Sequence, residues 1–169
     1  MTGLQSVWDD IDATPERVLD LTREMVRIPS VNPKFEAKQG LNNEAQVAAL
    51  VADRLKALGC ETESWDALPG RPNVVGTLPG NEERSLILCG HIDTVPVGNQ
   101  ANWHVDPFGG EISDGKLWGR GSVDMKAGLA ACIAALEAIR AAGITLDGRV
   151  SVHAVVDEEA GGFGAMDAV

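Results

Sequence analysis

The sequence predicts a three-layer α/β sandwich built on a mainly parallel mixed sheet. Segments with apolar residues at helical spacing alternate along the chain with short apolar runs. One run, residues 85–89 (SLILC), is apolar on both faces, as a strand in the middle of a covered sheet would be. A second, residues 149–156 (RVSVHAVV), reads as a mostly buried strand.

The elements follow in order. Thr14 before Pro15 reads as an N-cap with proline at the first helical position. Val18, Leu21, Met25 and Ile28 keep helical spacing until Pro29 stops it. After a loop with Pro33 and Gly40, a second helix carries Val47, Leu50, Val51, Leu55 and Leu58, and Gly59 closes it. Residues 60–65 alternate like an exposed or edge strand, residues 73–78 form another, and Pro79-Gly80-Asn81 marks a turn. Residues 111–113 and 117–119 flank Asp114-Gly115, a hairpin signal. A third helix carries Met125, Leu129, Cys132, Ile133, Leu136 and Ile139 and ends at Gly143. The chain stops at Ala168-Val169, in a helix hardly one turn long, as expected of a chain cut short.

The 169 residues suffice for one domain, and 44% hydrophobic with 23% charged residues excludes disorder. A net charge of −11 speaks against nucleic acid and against an anionic membrane surface, which need clustered Lys and Arg. No signal peptide is visible at the start, and no apolar stretch approaches the roughly 18 residues of a membrane helix. Cys60, Cys89 and Cys132 form neither a disulfide framework nor a zinc knuckle, and each reads as a small buried hydrophobe. A cytoplasmic location is the expectation.

Three segments carry candidate chemistry, each just past a buried strand or at a helix start, where open α/β sheets bind ligands. In the first, residues 90–96, His91 and Asp93 project to one side of an extended backbone. A metal-ligating imidazole usually gives its second N–H to a carboxylate, a role that suits this pair. A surface loop with incidental polar residues is the other reading. In the second, residues 119–126, glycines turn the chain before a helix and Asp124 falls at or near its N-cap, which leaves plain capping open. A dinucleotide site fails there, because the third glycine is missing and Asp124 would meet the pyrophosphate. In the third, Asp157, Glu158 and Glu159 follow the strand 149–156, and three adjacent acids repel unless solvent or a cation compensates them. His104 reads as a loop residue, His153 as packed core and Lys126 as an exposed helix lysine.

Taken together, CGHIDTVP, GRGSVDMKAG and DEEAGG resemble the metal-site signature of the M20 metallopeptidase and deacylase family, with WHVDPFGGEISDGKLWGRG similar to its hairpin region. The resemblance implies a zinc-exopeptidase-like catalytic domain, of which residues 1–169 would be the N-terminal part. It also implies His91 as ligand of one metal, Asp124 as the bridge, Glu159 as ligand of the second metal and Glu158 as general base. Asp93 would orient His91, and Asp124–Met125 is a candidate cis peptide. Two zinc ions per complete subunit, with cobalt or manganese as substitutes, would serve amide hydrolysis. The implied reaction is N-deacylation of an N-acyl amino acid, as in acetylornithine deacetylases and desuccinylases, or dipeptidase or carboxypeptidase action on a short peptide. The full-length parent would be a homodimer.

The family's further carboxylate, its C-terminal metal-binding histidine and its inserted lid or dimerisation domain have no counterpart in this sequence. A catalytic zinc normally has three protein ligands, so each metal is at least one short. The expectation is that this chain alone binds metal weakly and is inactive. A nucleotide-dependent α/β protein and an inactive remnant acting as a binding or assembly partner are the rival classes.

Overall fold

The structure, a computed structural model, describes residues 3–169. Its elements are α1 (Gly3–Ala13), α2 (Glu16–Val26), α3 (Glu44–Ala57), β1 (Glu61–Leu68), β2 (Arg71–Leu78), β3 (Asn81–His91), β4 (Glu111–Ser113), β5 (Lys116–Trp118), α4 (Ala127–Ala141), β6 (Gly148–Val155) and α5 (Phe163–Asp167).

β1, β2, β6 and β3 form one mixed sheet in that order, and β4 and β5 form a separate hairpin. β3 and β6 run parallel, joined by a crossover through β4, β5 and α4, whereas β1–β2 and β2–β6 are antiparallel. The mixed α/β fold is therefore as expected, but the sheet is not mainly parallel within these residues. The short Pro79–Gly80 link returns β3 close to where β2 ends, whereas the 15-residue α4 lies in the long crossover that parallel neighbours need.

Pairing fixes which face each side chain takes. Val74, Leu78, Val150, Val152 and Ala154 point into one core with Leu55, Leu129 and Ile133. α3 lies over β1 and β2, α4 lies over β3 and β6, and α1 and α2 pack on α4. Gly76 lets α3 approach, since a Cβ there would sit 2.8 Å from Leu55 Cδ1. The opposite face carries one short helix, α5, tied down where Trp65 Nε1 donates to Asp167 Oδ2 at 2.6 Å. The third layer is thus one short helix among the described residues.

Several local expectations need correction. β3 is an edge strand, not a central one, and Leu86 and Ile87 are 53% and 58% exposed because nothing pairs beyond it among the described residues. Cys89 on the same strand is exposed, Cys132 is half-buried, and only Cys60 is buried. His153 is half-buried on the sparsely covered face. Thr14 caps nothing: its hydroxyl donates to the Asp10 carbonyl at 2.7 Å and closes α1. α1 itself was not expected, although Leu4, Val7, Trp8 and Ile11 have helical spacing. The hairpin, the α3 terminus at Gly59 (φ 87°) and the α4 terminus at Gly143 (φ 68°) are where the sequence places them.

Candidate metal centre

Parallel pairing sets the carboxyl ends of β3 and β6 side by side, with His91 opposite Val155. His91 therefore ends one strand while Asp157, Glu158 and Glu159 leave the other. The third segment arrives through a π-type turn, Ser122–Lys126, ahead of α4. Asp124 is extended inside that turn (φ −121°, ψ 99°), followed by the expected cis bond to Met125. It caps no helix, because α4 begins three residues later.

His91 is 3% exposed, and its Nδ1 lies 2.9 Å from the Asp93 carbonyl oxygen. A carbonyl only accepts, so Nδ1 carries a proton, which leaves Nε2 as the ring nitrogen that turns outward. That nitrogen faces Asp124 Oδ1 at 3.0 Å and Glu158 Oε2 at 3.7 Å. Acceptors facing one another need a positive charge between them, either a proton on Nε2 or a cation. His91, Asp124 and Glu159 each bring a ligand atom within 4.8 Å of the others. One imidazole nitrogen and two carboxylate oxygens form a donor set that fits zinc or a similar divalent ion. Burial pushes the Glu159 carboxyl up and His91 pulls it down, while Asp124, Asp93 and Glu158 raise it further. An ion placed among them would relieve that crowding.

The Asp93 carboxylate does more than face His91. It is fully buried and stands 3.6 Å from Nδ1, farther than the Asp93 carbonyl. Its Oδ1 accepts the Glu158 N–H at 3.1 Å, and its Oδ2 accepts the Glu159 N–H at 3.2 Å and Asn32 Nδ2 at 2.7 Å. One side chain thus fixes both Glu158 and Glu159 against the strand that ends in His91.

Asp157, first of the three acids, faces inward and is fully buried with φ 65°. It receives Lys34 Nζ at 2.5 Å, Arg71 Nη1 at 2.9 Å and Asn32 Nδ2 at 3.2 Å. Burial alone would raise its pKa, but these three donors outweigh it and hold the carboxyl below its ordinary value. Arg71 also grips Glu44 in a two-pronged pair at 2.6 and 2.8 Å. Asn32, Lys34, Glu44 and Arg71 carried no spacing signal in the sequence, since they come from three separate segments, Asn32 and Lys34 sharing one. Lys126, expected at the surface, is fully buried and donates to the Met25 and Ile28 carbonyls at 2.8 and 3.0 Å. Burial lowers it to about 7, with Asp93 acting the other way. His104 stays in a loop, edge-on to Trp118 at 6.5 Å.

Residues 87–169, which hold all three segments, match the model of peptidase family M20/M25/M40. Over 167 residues the chain is 36% identical to the N-formyl-4-amino-5-aminomethyl-2-methylpyrimidine deformylase of Halalkalibacterium halodurans, covering 97% of this chain and 38% of that protein. It is 35% identical over 153 residues to the succinyl-diaminopimelate desuccinylase of Methylocella silvestris, covering 88% of this chain and 37% of that one. Among solved structures it superposes on human carnosine dipeptidase 1 with a TM-score of 0.84 and 29% identity, over 98% of this chain and 37% of that one. The chain thus spans less than two fifths of these relatives' length. With the motif segment, the near full-length similarity and the fold in agreement, this chain belongs to the M20/M25/M40 peptidase family.

Proposed function

We propose that this chain carries the first part of a metal-dependent amide hydrolase centre and that its reaction is removal of an acyl group from an amine. The observation that carries this is the convergence of His91, Asp124 and Glu159 on one point at the carboxyl ends of two parallel strands. These three residues would hold the metal, with Asp124 as the bridge if two ions bind. Zinc, or cobalt or manganese in its place, supplies Lewis acidity toward an amide carbonyl and acidifies water. Three donors meet the needs of one catalytic zinc, and a second ion sharing Asp124 needs donors beyond this trio.

The chain's own residues have separable tasks. The Asp93 carbonyl keeps the proton on His91 Nδ1, and its carboxylate holds the backbone of Glu158 and Glu159. Glu158 stays outside the trio, with a side chain 52% exposed over the same opening. From there its carboxylate takes up a proton from the attacking water and returns it to the departing amine. The substrate would be an N-acyl amino acid or a related small acylated amine. The names deformylase and desuccinylase both describe loss of an acyl group from nitrogen. Action on a short peptide is the second reading, favoured by the superposition on a dipeptidase.

The test is titration of the metal-free chain with cobalt, read by visible absorption, followed by assays on N-formyl, N-acetyl and N-succinyl amines and on dipeptides. Weak cobalt binding that disappears in His91→Ala is expected, and binding that ignores His91 would overturn the metal reading. Hydrolysis by these 169 residues alone is expected not to exceed that of Glu158→Ala. Turnover above that control would overturn the expectation that the chain is inactive by itself.

A further inference from the structure

A cavity of about 680 Å³ lies between the β4–β5 hairpin and the loop after β3, and its wall runs through Ser122 and Val123 to the residue before Asp124. Two features of its lining bear on what it could bind. No aspartate or glutamate lines it, although the protein has 25 acidic residues and a net charge of −11. Its wall instead holds Lys116, Arg120 and His104 beside the indoles of Trp103 and Trp118.

The polar groups of this wall are spent unevenly. Trp103 Nε1 donates to the Val97 carbonyl at 3.1 Å and Trp118 Nε1 to the Ser113 carbonyl at 3.3 Å, which leaves the rings to make apolar contacts. Arg120 lies 5.5 Å over the Trp103 ring, and Lys116 lies 5.9 Å over the Trp118 ring. Neither cation has a carboxylate within 4 Å among the described residues. Arg120 Nη2 makes one long bond to the Val97 carbonyl at 3.4 Å, and the buried Arg120 Nε has no acceptor. Arg120 Nε has no surface of its own to offer a ligand, so a carboxylate entering the cavity would be met by the ends of the Arg120 and Lys116 side chains in charge-assisted bonds.

We infer that this cavity is a binding subsite for the carboxylate-bearing part of the substrate, with Arg120 and Lys116 as the residues that select it. The flat or apolar portion of that part lies against Trp103 and Trp118, and the carboxylate reaches the Arg120 guanidinium. Its position beside Asp124 gives a substrate one arm in the cavity and its amide toward His91, so the assignment rests on the amide-hydrolase reading. Binding in the cavity needs no metal, which allows the two to fail separately.

The experiment is a tryptophan-fluorescence titration of the 169-residue chain in EDTA with N-benzoylglycine, a flat amide carrying a carboxylate. The uncharged N-benzoylglycinamide serves as comparison. Saturable quenching is expected, weakened about tenfold or more in Lys116→Gln, in Arg120→Gln and with the amide probe, as loss of a charged partner predicts. The titration is run without metal, so a failure of metal binding at His91, Asp124 and Glu159 would not touch this result. Lys116 is exposed, so its variant keeps the test sound even if Arg120→Gln disturbs the loop. Equal binding of acid and amide probes, or binding unchanged in Lys116→Gln and Arg120→Gln, would overturn the assignment, as would absence of saturable quenching.

Discussion

At the scale of single residues, the Asp93 carboxylate joins the segments of the centre. It accepts from two successive backbone N–H groups and from Asn32 while its own carbonyl orients His91. Asp93→Asn keeps the shape but turns an amide group toward N–H donors that need an acceptor. We expect a loss of about 1–3 kcal/mol of stability by guanidinium denaturation of the metal-free chain. Zinc affinity should fall about 10–100-fold in a competition titration, the range seen when a partner that orients a ligand is removed. Unchanged affinity in a stable variant would show that the carboxylate positions nothing. Arg71 poses a different problem, because it neutralises both Glu44 and Asp157 in the interior. Arg71→Met strands the buried Glu44, while Asp157 keeps Lys34 and Asn32, and should cost about 3–5 kcal/mol in the same denaturation experiment. A much smaller cost would mean that water reaches the pair.

At the scale of elements, the turn before α4 delivers Asp124 only because Gly121 adopts φ 80°, with Thr94 packed where a side chain would go. A Cβ there would stand 2.6 Å from Thr94 Cγ2. Gly121→Ala should therefore cost about 1–3 kcal/mol in thermal or denaturant unfolding and weaken cobalt binding by moving Asp124. This turn was largely legible in the sequence, since its glycines and acid are contiguous, as they are at His91 and at Glu158-Glu159. The supporting layer was not legible, because Asn32, Glu44, Arg71 and Lys126 meet only after folding. An apolar run such as SLILC also cannot say whether a further strand will pair beside it. His153 on β6 adds a pH effect. Burial and the neighbouring Arg149 hold its imidazole below the ordinary value of about 6.5. The folded state thus binds that proton less readily than the unfolded chain does. The stability it contributes is complete above about pH 6.5 and is lost as pH falls through that value toward the folded pKa. His153→Gln should flatten the fall of the urea midpoint across that window, and an unaltered slope would assign the effect to other groups.

At the scale of the whole molecule, net charge and the open edge of the sheet act against each other. A charge of −11 keeps copies apart at low ionic strength. β3 is 11 residues long, ends the sheet, and exposes Leu86 and Ile87 along an edge with no partner among the described residues. Only its first half carries charges that discourage pairing, at Glu82, Glu83 and Arg84. Salt shortens the range of repulsion to about 8 Å at physiological strength but leaves apolar contact and backbone pairing intact. Association should therefore rise with salt, and sedimentation velocity at 0.02 and 0.5 M sodium chloride would reveal it. Ile87→Lys places a charge in the apolar half of the strand and should leave the chain monomeric at both salt levels. No helix in the described residues is long and apolar enough to cross a membrane. Association that instead weakens with salt would point to ionic contacts, and would move the contact away from the Leu86–Ile87 edge.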